Sequence, residues 1–223
     1  MSTVLFVVTG ARSWTLSDGA THPTGYWAEE LLTPFRLLTG AGHDVVFATP
    51  GGIPPVADEG SLESDETRAA LAEIVRLSEP LRLEDVALSD YDAVFYPGGH
   101  GPMEDLAVDP VSGALIADAL ETATPLALVC HGVAALLAAR GADGALVAAG
   151  RRVTAFTDEE EIQGGLAARA PWLLETTLRD NGVEVATADA WADHVIEDGA
   201  LITGQNPQSS GSVARALLAR LGA

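Results

Sequence analysis

Lysine is absent from this chain, and all 12 of its basic residues are arginine. Against 32 acidic residues they leave a formal net charge of -20 at pH 7. A protein that binds nucleic acid needs a basic surface to neutralise phosphates, and this composition offers none. We therefore expect no nucleic-acid partner, and we attribute the missing lysine to coding bias or to an acid-rich surface suited to salt.

Long apolar runs are also missing, since none approaches the roughly 20 residues that a membrane-spanning helix requires. The opening segment "MSTVLFVVTGARSW" has a short apolar core with no basic residue ahead of it. This pattern is typical of a first β-strand and not of a signal peptide. We therefore expect no membrane partner and no secretion signal.

Cysteine occurs once, at Cys130. A single cysteine excludes an internal disulfide, which fits a reducing, cytoplasmic location. His22, His43 and His194 are scattered along the chain without the Cys/His spacing of a structural zinc site. We therefore predict neither a bound metal nor a cofactor.

The chain has enough apolar material for one globular core, because 48% of its 223 residues are hydrophobic and 20% are charged. No repeat or linker divides it, so residues 1–223 are predicted to form one domain. Apolar runs alternate with helical patterns, which favours a doubly wound α/β fold with a mostly parallel sheet and helices on both faces. The predicted strands are "VLFVVTG" (4–10), "DVVFATP" (44–50), "DAVFYPGG" (92–99), "LALVC" (126–130), "RVTAF" (152–156), "EVATA" (184–188) and two strands in "VIEDGALITGQNP" (195–207). Helices are predicted over 25–42, 66–77 and 111–122, after Cys130, and over 208–221.

Cys130 lies where an apolar strand ends and a helical pattern begins, in "LALVCHGVAALLAAR". Crevices in open α/β sheets form at the carboxyl ends of strands, and a helix N-terminus favours a thiolate. Position and the adjoining His131 thus favour a nucleophile with a base. A free cysteine is as often a buried, inert core residue, and the residues alone leave both interpretations open.

A second turn of the same kind follows the strand at 92–96, in "YPGGHGPMEDL". Consecutive glycines let the backbone turn sharply and present N–H groups to a ligand, as an oxyanion hole requires. An ordinary β-to-α turn would have the same composition. The functional interpretation depends on this turn sharing a sheet with Cys130.

Two acidic stretches offer proton carriers. In "TGYWAEELLTPF" the helical pattern leaves either Glu29 or Glu30 near the apolar face, where desolvation raises the pKa of a carboxyl group. Two solvated first-turn glutamates are the alternative. In "FTDEEE" (156–161) one of four acids could orient His131, and a solvated helix cap is again the alternative.

Taken together, five segments resemble the ThiJ/PfpI superfamily of the class I glutamine-amidotransferase-like fold, in its glutathione-independent glyoxalase and heat-shock chaperone branch. They are "TGYWAEELLTPF", "FYPGGHGPMEDL", "LVCHGVAALL", "VTAFTDEEE" and "DGALITGQNPQSS", in the family's order. The resemblance implies a nucleophile elbow and a homodimer. The matched catalytic residues are Cys130, His131, Glu30 and Glu161, and the matched backbone donors opposite the nucleophile are Gly99 and His100.

The resemblance implies a cofactor-free lyase of the glyoxalase III type that converts a small α-oxoaldehyde such as methylglyoxal to D-lactate through a hemithioacetal on Cys130. Because His131 follows Cys130 directly, its role as base stays open. Val133 stands where relatives often have proline, and the two-histidine, one-carboxylate metal site of some larger relatives has no match. A stress-response holdase is the alternative from another class, and an amidase, a peptidase or a lyase or hydratase on another carbonyl compound are further alternatives.

Overall fold

The computed structural model describes residues 1–62 and 64–222. Within them the strands are β1 (Thr3–Val7), β2 (Ser13–Thr15), β3 (Thr21–Pro23), β4 (Asp44–Thr49), β5 (Leu81–Arg82), β6 (Ala93–Tyr96), β7 (Leu126–Val129), β8 (Arg152–Val153), β9 (Glu184–Val185), β10 (Val195–Asp198) and β11 (Leu201–Gly204). The α-helices are α1 (Ala28–Gly40), α2 (Asp65–Ala72), α3 (Gly101–Glu104), α4 (Pro110–Glu121), α5 (Asp158–Gly164), α6 (Leu174–Asp180) and α7 (Ser210–Arg220). A 3₁₀ segment, Cys130–Ala138, follows β7 directly.

Seven strands form one sheet in the order β10-β11-β7-β6-β1-β4-β5. Every neighbouring pair from β11 to β5 is parallel, and β10 alone in this sheet pairs antiparallel, with β11. Gly199 takes a φ of 62° in the turn between these two strands. The mostly parallel α/β fold and the Asp-Gly turn predicted from the sequence are confirmed.

The central strands are buried on both faces, as expected of parallel strands covered by helices. Every residue of β6, β7 and β11 is buried. Phe6 of β1 stacks on Phe95 of β6 with ring centroids 4.7 Å apart and meets Phe47 of β4 edge-on at 5.6 Å. The core therefore runs across the middle of the sheet. On the covering helices, α1 packs against α7 and α4 packs against the 3₁₀ segment.

Two predicted strands do not join this sheet. Of "RVTAF" and "EVATA" only β8 and β9 are extended, and they pair with each other in a separate two-stranded sheet. The chain leaves β8 at Thr154, whose N–H donates to the hydroxyl of Thr203 over 2.9 Å. Because a side-chain oxygen has replaced a strand partner there, the ladder ends and the following residues turn toward the carboxyl edge of the main sheet.

Two helical predictions also differ from the structure. The helix predicted over 66–77 ends at Ala72, and a 3₁₀ turn covers Val75–Leu77. Ile74 leaves helical geometry (φ -84°, ψ 77°), which lets both Ile74 and Leu77 become buried. The helix predicted after Cys130 is the tighter 3₁₀ segment. No helix in the described residues is long and apolar enough to cross a membrane.

The sheet reverses its winding between β1 and β6. From β1 the chain moves to β4 on one side, and it later adds β6, β7 and β11 on the other. Ligand crevices in open α/β sheets lie outside the carboxyl ends of the strands at such a point. The Gly-Gly turn after β6 and the 3₁₀ segment after β7 both begin at this edge.

Candidate active site

Cys130 occupies the sharp turn between β7 and the 3₁₀ segment. Its φ is 56°, a left-handed conformation that costs a non-glycine residue roughly 1–3 kcal/mol and persists only where surrounding structure enforces it. Two glycines permit the close packing around it. A Cβ on Gly132 would lie 2.6 Å from the carbonyl oxygen of Tyr96, and one on Gly98 would lie 2.8 Å from the backbone nitrogen of His131. The predicted elbow at Cys130 is therefore present.

The thiol of Cys130 is 3% exposed and is held in its neutral form. Burial raises its pKa well above the ordinary value, and neighbouring Glu30 raises it further. The backbone N–H groups of His131 and Gly99 act in the opposite direction, because they can donate to the sulfur. Of the two predicted backbone donors, Gly99 thus lies at the sulfur, whereas His100 contributes through its side chain.

His131 connects the thiol to Glu161. Its Nδ1 lies 3.3 Å from the sulfur of Cys130, and its Nε2 lies 2.8 Å from Oε2 of Glu161. When Glu161 is ionised, Nε2 must carry the proton to donate it, so Nδ1 presents a lone pair to the S–H group. Burial lowers the pKa of His131, which keeps the imidazole neutral and able to accept the thiol proton.

His100 shares the carboxylate with His131. Its Nε2 lies 3.0 Å from Oε1 of Glu161, its ring stacks on Trp14 at 5.1 Å, and the two imidazole centroids are 4.2 Å apart. Although burial alone would raise it, these two hydrogen bonds hold the pKa of Glu161 well below its usual range. The sequence analysis missed this role for the His100 side chain, and an imidazole among three glycines in "GGHG" was the available signal.

Glu30 brings a second carboxyl group to the thiol from α1. It is fully buried, and burial raises its pKa to about 8, so the group is protonated at neutral pH. Oε2 accepts the N–H of Gly98 over 2.7 Å, and Oε1 has no hydrogen-bond partner among the described residues. Glu29 is exposed, so the structure places Glu30, of the two, at the site.

Glu160 is also buried but is committed to structure. Its Oε2 accepts the N–H of Thr157 in a capping box, and its Oε1 accepts the N–H of Trp191 and the side-chain amides of Gln205 and Asn206. A buried carboxylate so fully bonded fixes the surrounding loops. Within "FTDEEE", therefore, one glutamate orients two histidines and the one before it holds the wall of the site.

A pocket of about 520 Å³ lies over the thiol. Cys130, His131, His100 and Gly99 line its floor. The other lining residues are His22, Pro23, Trp27, Asp58, Glu59, Gly60, Phe156, Gly164, Leu166, Trp191 and Pro207. Four of the six predicted site residues thus line one cavity that a small molecule can enter, and Glu30 and Glu161 are not among its lining residues.

Two histidines and one glutamate at the site have the chemistry of metal ligands. Nitrogen and oxygen atoms of His100, His131 and Glu161 lie within 4.8 Å of one another. Among the described residues, these three form the cluster of potential metal ligands. Both Nε2 atoms already face Glu161 in hydrogen bonds, so an ion would have to displace two protons to bind. A third histidine, His22, meets His100 edge-on with ring centroids 6.0 Å apart. The absence of a bound metal stays a prediction.

A model of the DJ-1/PfpI family matches residues 23–220. The chain therefore belongs to the DJ-1/PfpI family, and the resemblance inferred from five sequence segments is confirmed.

Individual relatives cover most of the chain. It is 29% identical over 226 residues to the "Protein/nucleic acid deglycase HchA" of Staphylococcus aureus (strain bovine RF122 / ET3-1), covering 95% of this chain and 77% of the relative. The Rapid Encystment Protein 24 KDa of Francisella tularensis is 28% identical and matches 99% of both chains with a TM-score of 0.90. Glyoxalase III from Candida albicans matches 98% of this chain and 97% of its own with a TM-score of 0.81 at 23% identity, which shows a shared fold.

Proposed function

We propose that the protein is a cofactor-free, cysteine-dependent enzyme that converts small α-oxoaldehydes such as methylglyoxal to 2-hydroxy acids. One observation carries this proposal: the thiol of Cys130 lies between a neutral base, His131, and a protonated carboxyl group, Glu30, at the floor of a pocket. The reaction requires a nucleophile, a base and a proton carrier, and no outside oxidant or reductant, since water adds and one carbon is oxidised as its neighbour is reduced.

The first step is addition of the thiol to the aldehyde carbon. His131 Nδ1 accepts the S–H proton as the C–S bond forms, and the proton then passes to the former aldehyde oxygen to give a hemithioacetal. The N–H groups of Gly99 and His131 stabilise the developing oxyanion. Glu161 stabilises the transient imidazolium. A thiol with a raised pKa suits this order of steps, because His131 removes the S–H proton during the attack and no thiolate has to form beforehand.

The second step moves hydrogen from the aldehyde carbon to the ketone carbon. Glu30 is suited to it because Oε2 is held by Gly98 and the unpartnered Oε1 is free to exchange a proton with the substrate. Passing protons between carbon and oxygen through an enediol yields a thioester of the 2-hydroxy acid on Cys130. Water, deprotonated by His131, then hydrolyses the thioester and restores the thiol.

The comparisons support this class of chemistry at a coarser level. The Staphylococcus aureus relative is named a protein/nucleic acid deglycase, and a deglycase removes adducts that reactive carbonyl compounds form, whereas a glyoxalase converts the free aldehyde. The Candida albicans protein named glyoxalase III shares the fold, so the fold accommodates that reaction. Neither name identifies the aldehyde that this chain prefers.

The proposal is tested by measuring D-lactate formed from methylglyoxal in the absence of glutathione, with wild-type protein beside Cys130→Ser. We expect product from the wild type and a rate roughly 1000-fold slower from the variant. The reason is that a serine hydroxyl is a far weaker nucleophile than a cysteine thiol. Equal rates from the two proteins, or no product from either, would contradict the proposal. Matching circular dichroism spectra of the two proteins control for folding.

A deglycase activity is the second candidate, and the name of the Staphylococcus aureus relative favours it. The thiol is 3% exposed at the floor of the pocket, so a free aldehyde reaches it more readily than an adduct carried on a protein. Preformed adducts of methylglyoxal with N-acetylarginine distinguish the two. Faster product formation from the adduct than from an equal concentration of free methylglyoxal would favour the deglycase.

A further inference from the structure

We propose that the pocket selects α-oxoaldehydes with an aryl substituent, such as phenylglyoxal, and that Trp191 is the residue that determines this preference. The inference deepens the proposed function and rests on it for the reacting group. The size, the charge and the aromatic wall of the pocket each support it.

The pocket is large for the smallest α-oxoaldehydes. Its volume of about 520 Å³ falls within the roughly 300–1,000 Å³ of sites that bind drug-sized ligands. Methylglyoxal carries only a methyl group beyond its two carbonyl carbons and would leave most of this space to water. A substituent the size of a phenyl ring would occupy it and exclude that water from the thiol.

Charge at the pocket disfavours an anionic substituent. Asp58 and Glu59 are among the lining residues, Glu59 is paired with Arg68 over 2.9 Å, and no lining residue identified in the described part of the chain is arginine. The formal net charge of -20 acts in the same direction. A carboxylate or phosphate on the substrate would therefore find no arginine partner, which favours a neutral substituent.

Aromatic rings extend outward from the catalytic histidine. Phe156 lies 4.3 Å from His131 between ring centroids, and Trp191 meets Phe156 edge-on at 5.6 Å. Trp191 remains 37% exposed, so part of its indole is available to a ligand. A ring attached to the ketone carbon of a substrate bound to Cys130 would reach this wall, and aromatic rings favour such edge and offset contacts.

The backbone of Trp191 is strained. Its φ is 64°, which is unfavourable for a bulky residue. Its backbone N–H donates to buried Glu160 over 2.8 Å, and its indole Nε1 donates to Gln163 over 2.6 Å. Glycine would satisfy this backbone without strain, so the folding of the loop does not call for tryptophan. A strained, anchored and partly exposed ring in the wall of the same pocket as the thiol indicates a ligand contact.

The test compares kcat/KM for phenylglyoxal with kcat/KM for methylglyoxal in wild type, Trp191→Gly and the control Trp172→Leu. Glycine adopts the φ of residue 191 readily, and Trp172 lines another cavity. We expect the ratio to exceed one in the wild type, to fall roughly tenfold in Trp191→Gly, and to stay unchanged in Trp172→Leu. Using a ratio cancels any loss of folded enzyme.

With methylglyoxal turned over, a wild-type ratio of one or less would overturn the aryl preference, and a ratio above one that is unchanged in Trp191→Gly would overturn the role of Trp191. Both results leave the proposed function standing. If no aldehyde is consumed, the proposed function fails, and binding decides the inference separately. Calorimetry with 2-hydroxyacetophenone and hydroxyacetone, which are neutral and lack the aldehyde, should give at least tenfold tighter binding of the aryl ketone. Equal affinities, or a preference that survives in Trp191→Gly, would reject it.

Discussion

Glu30 and Glu161 are both buried near Cys130, the first beside its thiol and the second bonded to His131, and they are held in different protonation states. Burial raises the pKa of Glu30 to about 8, and the Cys130 thiol and the Gly98 N–H offset only part of that rise. Glu161 is buried too, but two imidazoles donate to it and hold its pKa well below its usual range. Burial alone therefore does not determine the charge of a carboxyl group, because two groups act on each glutamate and only the two imidazoles at Glu161 outweigh burial.

The difference divides the chemistry of the site. A carboxyl group that is protonated at neutral pH can give a proton to a substrate, whereas one that stays ionised can orient and stabilise a histidine. Cys130 contacts both halves, through His131 on one side and through Glu30 on the other. If this division is correct, removing the proton of Glu30 and removing the charge of Glu161 should have different effects on turnover.

The largest expected effect is that of Glu30→Gln, which keeps the shape of the side chain and removes its exchangeable proton. We expect kcat for methylglyoxal to fall about 1000-fold, within the range of roughly 10²–10⁴ for loss of acid–base catalysis. Because the thiol and His131 are intact, the first addition should still occur, and native mass spectrometry of the intact protein should detect the adduct of methylglyoxal on Cys130. Retained turnover in Glu30→Gln would show that another group carries the proton.

Glu161→Gln should reduce kcat less, by about 100-fold, at the lower end of the same range. The amide oxygen can still accept the N–H of His131, while the amide nitrogen must face His100. The hydrogen bond that orients His131 is therefore kept, and the one to His100 is disturbed. Glu160→Gln is the matched control, with the same substitution one residue earlier. A loss in the control as large as that in Glu161→Gln would refute the assigned difference between these neighbours.

Glu160→Gln should instead destabilise the fold. Its carboxylate accepts bonds from Thr157, Trp191 and two side-chain amides, and an amide in its place leaves a donor facing donors. We expect the free energy of unfolding to fall by about 1–3 kcal/mol, measured by urea denaturation. An unchanged midpoint together with a lost activity would place Glu160 in the chemistry instead of in the structure.

The sequence identified these groups unequally. Cys130, Glu30 and Glu161 could be predicted because each lies in a segment whose local pattern and order along the chain resemble a known family. The side chain of His100 and the wall formed by Trp191 could not, because their partners lie in α5, 61 and 31 residues away in the sequence. Likewise, "RVTAF" has the composition of a buried strand, and only the hydroxyl of Thr203 ends it early.

The smallest expected effect is a change in how stability depends on pH. Since the pKa of Glu30 rises from an ordinary 4.5 to about 8 on folding, the folded state binds a proton that the unfolded state releases. Its stabilising contribution is therefore complete below pH 4.5 and is lost as pH rises toward 8, by up to about 1.4 kcal/mol per pH unit. Glu161 has a lowered pKa, so its contribution is present above its ordinary value of 4.5 and constant from pH 5.5 to 8.

Urea unfolding of wild type, Glu30→Gln and Glu161→Gln across pH 5.5 to 8 separates these two contributions. Histidine titration affects all three proteins, so the informative quantity is the difference in unfolding free energy between each variant and the wild type. That difference should shift in favour of the variant with rising pH for Glu30→Gln and stay nearly level for Glu161→Gln above roughly pH 7, because at lower pH the loss of Glu161 also changes the titration of His131. A level difference for both would mean that Glu30 is ionised throughout, and its part in the proton transfer would then have to be that of a base from the start.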